Sequence, residues 1–128
     1  MLCNDLLTAA LKLLGEVGEA NDNPDYAERA PYIIASFVGE ACEVDEKYRL
    51  AHGLEKADPS ERVYIPLDEE FPLSERLASP CVFYLASILI SDESPELSEG
   101  YYDRYCDSLS AICASLPTLK ESITDAYA

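Results

Sequence analysis

Apolar residues recur at steps of three and four over residues 3–17, where Cys3, Leu6, Leu7, Ala10, Leu11, Leu14 and Val17 share one stripe. That spacing predicts an amphipathic helix. Gly15 and Gly18 weaken its end, and Asn21, Asp22, Asn23 and Pro24 close it into a loop. A second helix begins within residues 25–31 and runs to about Ala51, with Gly53 placed as a C-terminal cap. Its stripe is Ile34, Phe37, Val38, Ala41, Val44, Tyr48 and Ala51. Glu43 with Lys47 and Asp45 with Arg49 stand four apart, acid first, which is the favourable order on an exposed helical face.

Between residues 54 and 73 the helical period disappears. Pro59, Pro66 and Pro72 each lack a backbone donor, which excludes a long helix. Arg62, Val63, Tyr64 and Ile65 suit a short extended piece. The segment YIPLDEEFP is apolar at both ends and acidic in the middle, and Val63, Tyr64, Ile65, Leu67, Phe71 and Leu73 argue against disorder. A loop this long inside a compact domain tends to be functional. We read Ile65 and Leu67 as turned inward and Tyr64 and Phe71 as facing a partner.

A third helix starts near Ser74 and ends near Ser91, with Pro80 kinking or restarting it. Its run CVFYLASILI is apolar on every side, the mark of a central, fully packed element. Periodicity also permits a strand over so short a run; the flanking helices and the lack of partner strands favour helix. The fourth helix has Ser94 as N-cap, Pro95 in its first position and Glu96 near its positive end. Tyr102, Tyr105, Cys106, Leu109, Ile112, Cys113 and Leu116 carry its stripe to Pro117. Thr118 and Glu121 have the capping-box spacing of a short terminal helix. The fold class is therefore all-α: four main helices and a short C-terminal helix in one domain over residues 1–128, with a long proline-interrupted loop between helices two and three.

Charge narrows the function classes. The 128 residues carry 25 acids and nine bases, a formal net charge of −16, and neither half is basic. Such a chain lacks the footprint for gripping phosphates, so sequence-specific nucleic-acid binding is not expected. Five cysteines with no CxxC spacing suit free thiols in a reducing compartment better than zinc or disulfides. The N-terminus reads as helix and not as a signal peptide, and the uncharged run 77–91 is too short to span a bilayer. An intracellular protein with no membrane contact and no cofactor is the expectation.

Candidate chemistry is sparse. Glu40, Glu43 and Glu46 share a helical face, and Asp92 and Glu93 follow the third helix. ExxE pairs occur in all-α metal-dependent nucleotide pyrophosphohydrolases, where carboxylates hold the metal that clamps phosphates; Glu40, Glu43 and Asp92 are the alternative set here. In so acidic a chain a solvated face explains the same spacing. Glu96, Glu99, Asp103 and Asp107 form a second acidic stripe, either solvated or facing a polyanion without adhering to it. His52, the only histidine, sits at a helix end beside free carbonyls and supports no Cys/His or Ser/His/Asp arrangement. Tyr101, Tyr102 and Tyr105 divide between core packing and interface anchoring. No catalytic or metal-binding residue is assigned.

The order of elements carries a resemblance. A first helix ends in Leu-Leu-Gly-Glu, a long second helix follows, then the YIPLDEEFP segment, the apolar LSERLASPCVFYLASILI and the tyrosine-rich YYDRYCDSLSAI. Over most of residues 4–113 this layout resembles the small all-α head–tail connector, or tail-adaptor, proteins of tailed bacteriophages and prophages. The resemblance implies a non-enzymatic structural protein of the bacterial cytoplasm and the virion. Its partners would be further copies of itself in a ring and the portal or tail proteins. The loop, with Tyr64, Ile65, Leu67 and Phe71, would be the subunit interface. The stripe Glu96, Glu99, Asp103 and Asp107 would face the DNA channel. A small intracellular module that binds a host protein through the same loop is the other reading.

Overall fold

The computed structural model describes residues 1–15, 24–57 and 61–116, and these residues are all-helical, with no strand among them. Helix α1, Cys3–Leu13, buries Cys3, Leu6, Leu7, Ala10 and Leu11 on one face. Its first N–H groups, which have no partner within the helix, donate to the loop: Cys3 to the Glu69 carbonyl and Asn4 to the Leu67 carbonyl, both at 2.9 Å. The helix ends earlier than its apolar stripe suggests. Leu14 and Gly15 form a turn with Gly15 at φ +74°, and the Tyr101 hydroxyl donates to the Leu13 carbonyl at 2.9 Å. Val17 lies outside the described residues.

Helix α2, Pro24–Ala51, includes Pro31. Proline has no N–H, so the carbonyl that loses its helical donor is that of Ala27; separately, the Pro31 carbonyl accepts the Ile65 N–H of the loop at 3.2 Å. At the other end Gly53 adopts φ +66°, the Leu54 N–H reaches back to the Arg49 carbonyl at 2.8 Å, and the Gly53 N–H reaches Leu50. This pair of bonds is a Schellman motif, and glycine supplies the left-handed residue it needs. One expectation fails on this helix. Asp45 does pair with Arg49 at 2.9 Å, but it is 1% exposed and not on a solvated face. The four-residue rule identifies the partner and says nothing of burial.

A single 3₁₀ turn, Glu75–Leu77, leads directly into helix α3, Ala78–Ile90. Pro80 therefore neither kinks nor restarts a helix. It is the third residue of α3, within the first turn, where an N–H would have had no helical partner. Helix α3 packs against α1, α2 and helix α4, Pro95–Ala114, and so forms the centre. Ser94 caps α4 through its hydroxyl, which accepts from the Leu97 N–H at 3.3 Å. The Ser87 hydroxyl on α3 donates to the Ser98 carbonyl on α4 at 2.9 Å, satisfying a buried polar group at the tightest helix pair.

The stripe on α4 is narrower than its sequence implies. Tyr105, Ile112 and Leu116 are buried and Leu109 and Cys113 half-buried, whereas Tyr102 and Cys106 face outward. Buried side chains of all four helices meet in one cluster around Phe37, whose ring contacts Phe71, Tyr84 and Tyr105 at centroid distances of 5.8–6.4 Å. The short terminal helix suggested by Thr118 and Glu121 falls outside the described residues.

Candidate functional site

Residues 61–74 form no helix and no strand, so the extended piece expected at Arg62 to Ile65 has no ladder. Only Leu2 and Glu70 make an isolated antiparallel bridge. The segment is nevertheless fixed along its length. Ile65 is tied to α2 at Pro31, and Leu67 and Glu69 to the start of α1. The Phe71 N–H donates to the Met1 carbonyl at 2.8 Å. Ser74 is held by the buried carboxylate of Asp45, Oδ1 to backbone nitrogen, at 2.8 Å. Across the loop the Arg62 guanidinium grips the Glu69 carboxylate with both Nη atoms. Each partner shifts the other: Glu69 is held below the usual carboxylate range, first by the hydrogen bond from Arg62, and Arg62 is raised by the same bond.

Side chains leave this framework in two directions. Ile65, Phe71 and Leu73 are buried, and the half-buried Leu67 packs against the core. Phe71 thus corrects the expectation that it faces a partner. It is 8% exposed and stacks on Phe37 at 6.4 Å. Phe71 lies an even number of residues from buried Ile65 and Leu73, on their side of the segment, and its ring packs into the core against Phe37.

Outward stand Val63, 82% exposed, and Tyr64, 45% exposed. Tyr64 meets Tyr32 of α2 edge to face at 5.0 Å, and Tyr32 is itself 56% exposed. Beside this projection a groove of about 430 Å³ runs between α2 and the loop, lined by Ala35, Val38, Gly39, Cys42, Ile65 and Pro72. Tyr32 was invisible as a site residue from sequence. It lies off the apolar stripe of α2, and only the fold brings Tyr64 onto it.

The carboxylates of the metal-binding alternative do not converge. Glu40 Oε2 accepts the Tyr105 hydroxyl at 2.7 Å, and burial together with that acceptor raises the Tyr105 phenol. Glu93, next to Asp92, takes the Tyr26 hydroxyl at 2.8 Å. Tyr26 and Glu40 are separated along α2 by about 21 Å at the helical rise, which keeps Asp92 away from Glu40. Among the described residues no group of three or more His, Cys, Asp or Glu is placed to hold a metal ion.

Glu96, Glu99, Asp103 and Asp107 are all exposed on α4. His52 stacks on Tyr48 at 4.2 Å, and its Nδ1 lies 2.9 Å from the Tyr48 carbonyl, a helix-end contact. Cys3 and Cys81 are buried and burial raises both thiols, Cys3 to about 11. No described helix is long and apolar enough to cross a membrane.

Comparison with protein-family models, with curated proteins and with solved structures returned no match.

Proposed function

We propose that this chain is a structural interaction protein without enzymatic activity, a head–tail connector that forms or joins a ring beneath a phage or prophage portal. The single observation that carries an interaction role is the projection of Tyr32, Val63 and Tyr64. Exposed apolar side chains stand together on a loop held by backbone bonds to two helices and by the ion pair of Arg62 with Glu69. A preorganised apolar surface loses little freedom when a partner covers it, which is what a binding site needs. The connector assignment rests on the resemblance of the order of elements over most of residues 4–113. In that role the protein works in the bacterial cytoplasm and then in the virion. Its partners are other copies and portal or tail proteins, with the stripe Glu96, Glu99, Asp103 and Asp107 lining a channel that DNA traverses without sticking.

The test is co-sedimentation of the purified chain with the portal ring encoded in the same genome. Wild type is expected to travel with the portal and Tyr64→Asp to remain behind. A wild-type chain that neither joins the portal nor forms a ring of its own sinks the connector reading. Retention of portal binding by Tyr64→Asp moves the interface elsewhere on the chain.

A further inference from the structure

Helix α1 does not cap itself. The N–H groups of Cys3 and Asn4 donate outward to the loop, to the Glu69 and Leu67 carbonyls, each at 2.9 Å. The loop in turn depends on the residues ahead of the helix. The Phe71 N–H donates to the Met1 carbonyl at 2.8 Å, Leu2 and Glu70 form the antiparallel bridge, and the Met1 amine meets Glu70 Oε2 at 2.9 Å. Asp5 holds this arm against the helix. Its carboxylate takes the Leu2 N–H at 2.8 Å, and its own N–H goes to the Leu2 carbonyl at 2.9 Å. A helix of 11 residues is too short to persist in water on its own turns. Helix α1 therefore needs these caps, and residues 67–71 need the same bonds to keep their course.

Glu69 carries the connection on to the interaction surface. Its carbonyl accepts from Cys3, while its carboxylate is gripped by Arg62, the residue ahead of Val63 and Tyr64. The same closeness shows in the Cys3 thiol, whose titration feels the charges of Glu69 and Arg62. On the far side of the projection, Ile65 is tied to Pro31 of α2. We propose that residues 1–4 are a latch on the loop. Arm and loop zip and release as one cooperative unit, and Val63 and Tyr64 are held in place only while the arm is closed. Release uncaps α1 and frees the loop in one step, at less than the cost of unfolding the whole chain. By reciprocity, a partner that covers the projection tightens the arm, and a change at the arm loosens the projection. This inference rests on the reading of the projection as the interaction surface, and it adds a control of that surface from the N-terminal arm.

The experiment is amide hydrogen exchange on the full chain, read residue by residue by NMR. Cys3, Asn4, Phe71 and Ile65 are expected to share one opening equilibrium, although the Ile65 N–H is bonded to α2 and not to the arm. That opening should be easier than the one that exposes Leu85, buried at the centre of α3. Asp5→Ala releases the Leu2 N–H and Glu70→Lys repels the Met1 amine; both side chains are exposed, so the fold survives either change. Each should speed exchange at all four amides together, Asp5→Ala by roughly fivefold. An Ile65 rate that stays put while Cys3, Asn4 and Phe71 accelerate means that the arm frays alone, and it overturns the latch. A shared rate no faster than that of Leu85 overturns it too, because the unit would then open only with the whole chain. Adding the portal ring should slow exchange at Cys3 and Asn4, and Tyr64→Asp should abolish that slowing. A portal that binds and leaves Cys3 and Asn4 unchanged overturns the latch as well. A chain that does not bind the portal strikes the connector reading alone, and the exchange rates of the free chain then decide the latch.

Discussion

Asp45 Oδ1 lies 2.8 Å from the backbone nitrogen of Ser74, twenty-nine residues away in sequence. The other carboxylate oxygen, Oδ2, takes Arg49 Nε at 2.9 Å. One buried side chain on α2 thereby fixes the exact point where the loop ends and the 3₁₀ turn into α3 begins. The loop cannot drift along α2 at its Ser74 end without leaving a buried carboxylate short of a donor.

Asp45→Ala should accordingly be the most costly polar substitution in the chain. It leaves the Ser74 N–H and the Arg49 guanidinium without their buried acceptor, a loss of about 3 kcal/mol. Thermal unfolding should fall by roughly 10 °C. Asp45→Asn keeps one acceptor oxygen and should lose about half as much. Urea titration of the three proteins checks the order, and an Asp45→Ala midpoint within error of wild type would show that the loop is held without this contact.

Phe71 and Tyr64, seven residues apart on the same loop, should part company in stability measurements. Phe71→Ala opens a cavity against Phe37 and should cost about 3–5 kcal/mol. Tyr64→Ala and Val63→Ala remove exposed side chains and should each stay within about 0.5 kcal/mol of wild type. Chemical denaturation separates the two groups. Equal losses at Phe71 and Tyr64 would mean that both belong to the core and that the projection does not exist.

How far the sequence foretold this arrangement depends on the length scale of each contact. The Ser94 cap, the glycine cap at Gly53, the central place of the CVFYLASILI run and the all-helical class follow from residues a few positions apart, where propensity and period act. The end of α1 is different. Its apolar stripe continues past Leu13, but the Tyr101 hydroxyl, eighty-eight residues on, takes the Leu13 carbonyl and marks the end. The burial of Asp45 is set by Ser74, and that of Phe71 by Phe37. Neither pairing has a local signature.

The Arg62 and Glu69 pair should give the loop a pH and salt signature. Glu69 titrates below its ordinary value in the folded chain because the guanidinium bonds its ionised form. A carboxylate depressed on folding contributes stability that is present above its unfolded pKa and is lost as pH falls through the folded one. Wild type should therefore be more stable than Glu69→Gln at neutral pH, with the difference shrinking as the solution is acidified below the usual carboxylate range. Added salt should shrink it as well, because both side chains are partly exposed. Thermal melts of the two proteins across acid pH test this, and a constant gap would dismiss the pair as a fixing element.

The thiols make the last prediction, at the alkaline end. Burial disfavours the charged thiolate, so Cys3 is pushed up to about 11 and Cys81 is raised well above its ordinary value too. A group raised on folding holds its proton longer in the native state than in the unfolded chain. Its contribution is intact below pH 9 and is lost as pH climbs from there through the folded value, so stability should decline over that interval. Reactivity should follow the same order. With a disulfide reagent at pH 8, exposed Cys106 should react at once, half-buried Cys42 and Cys113 more slowly, and Cys3 and Cys81 only as fast as the protein opens. Mass spectrometry of the labelled chain reads the order directly. Early modification of Cys3 would show that the contact between the start of α1 and the loop at Leu67 and Glu69 is not kept in solution, and with it would go the fixed loop on which Val63 and Tyr64 are displayed.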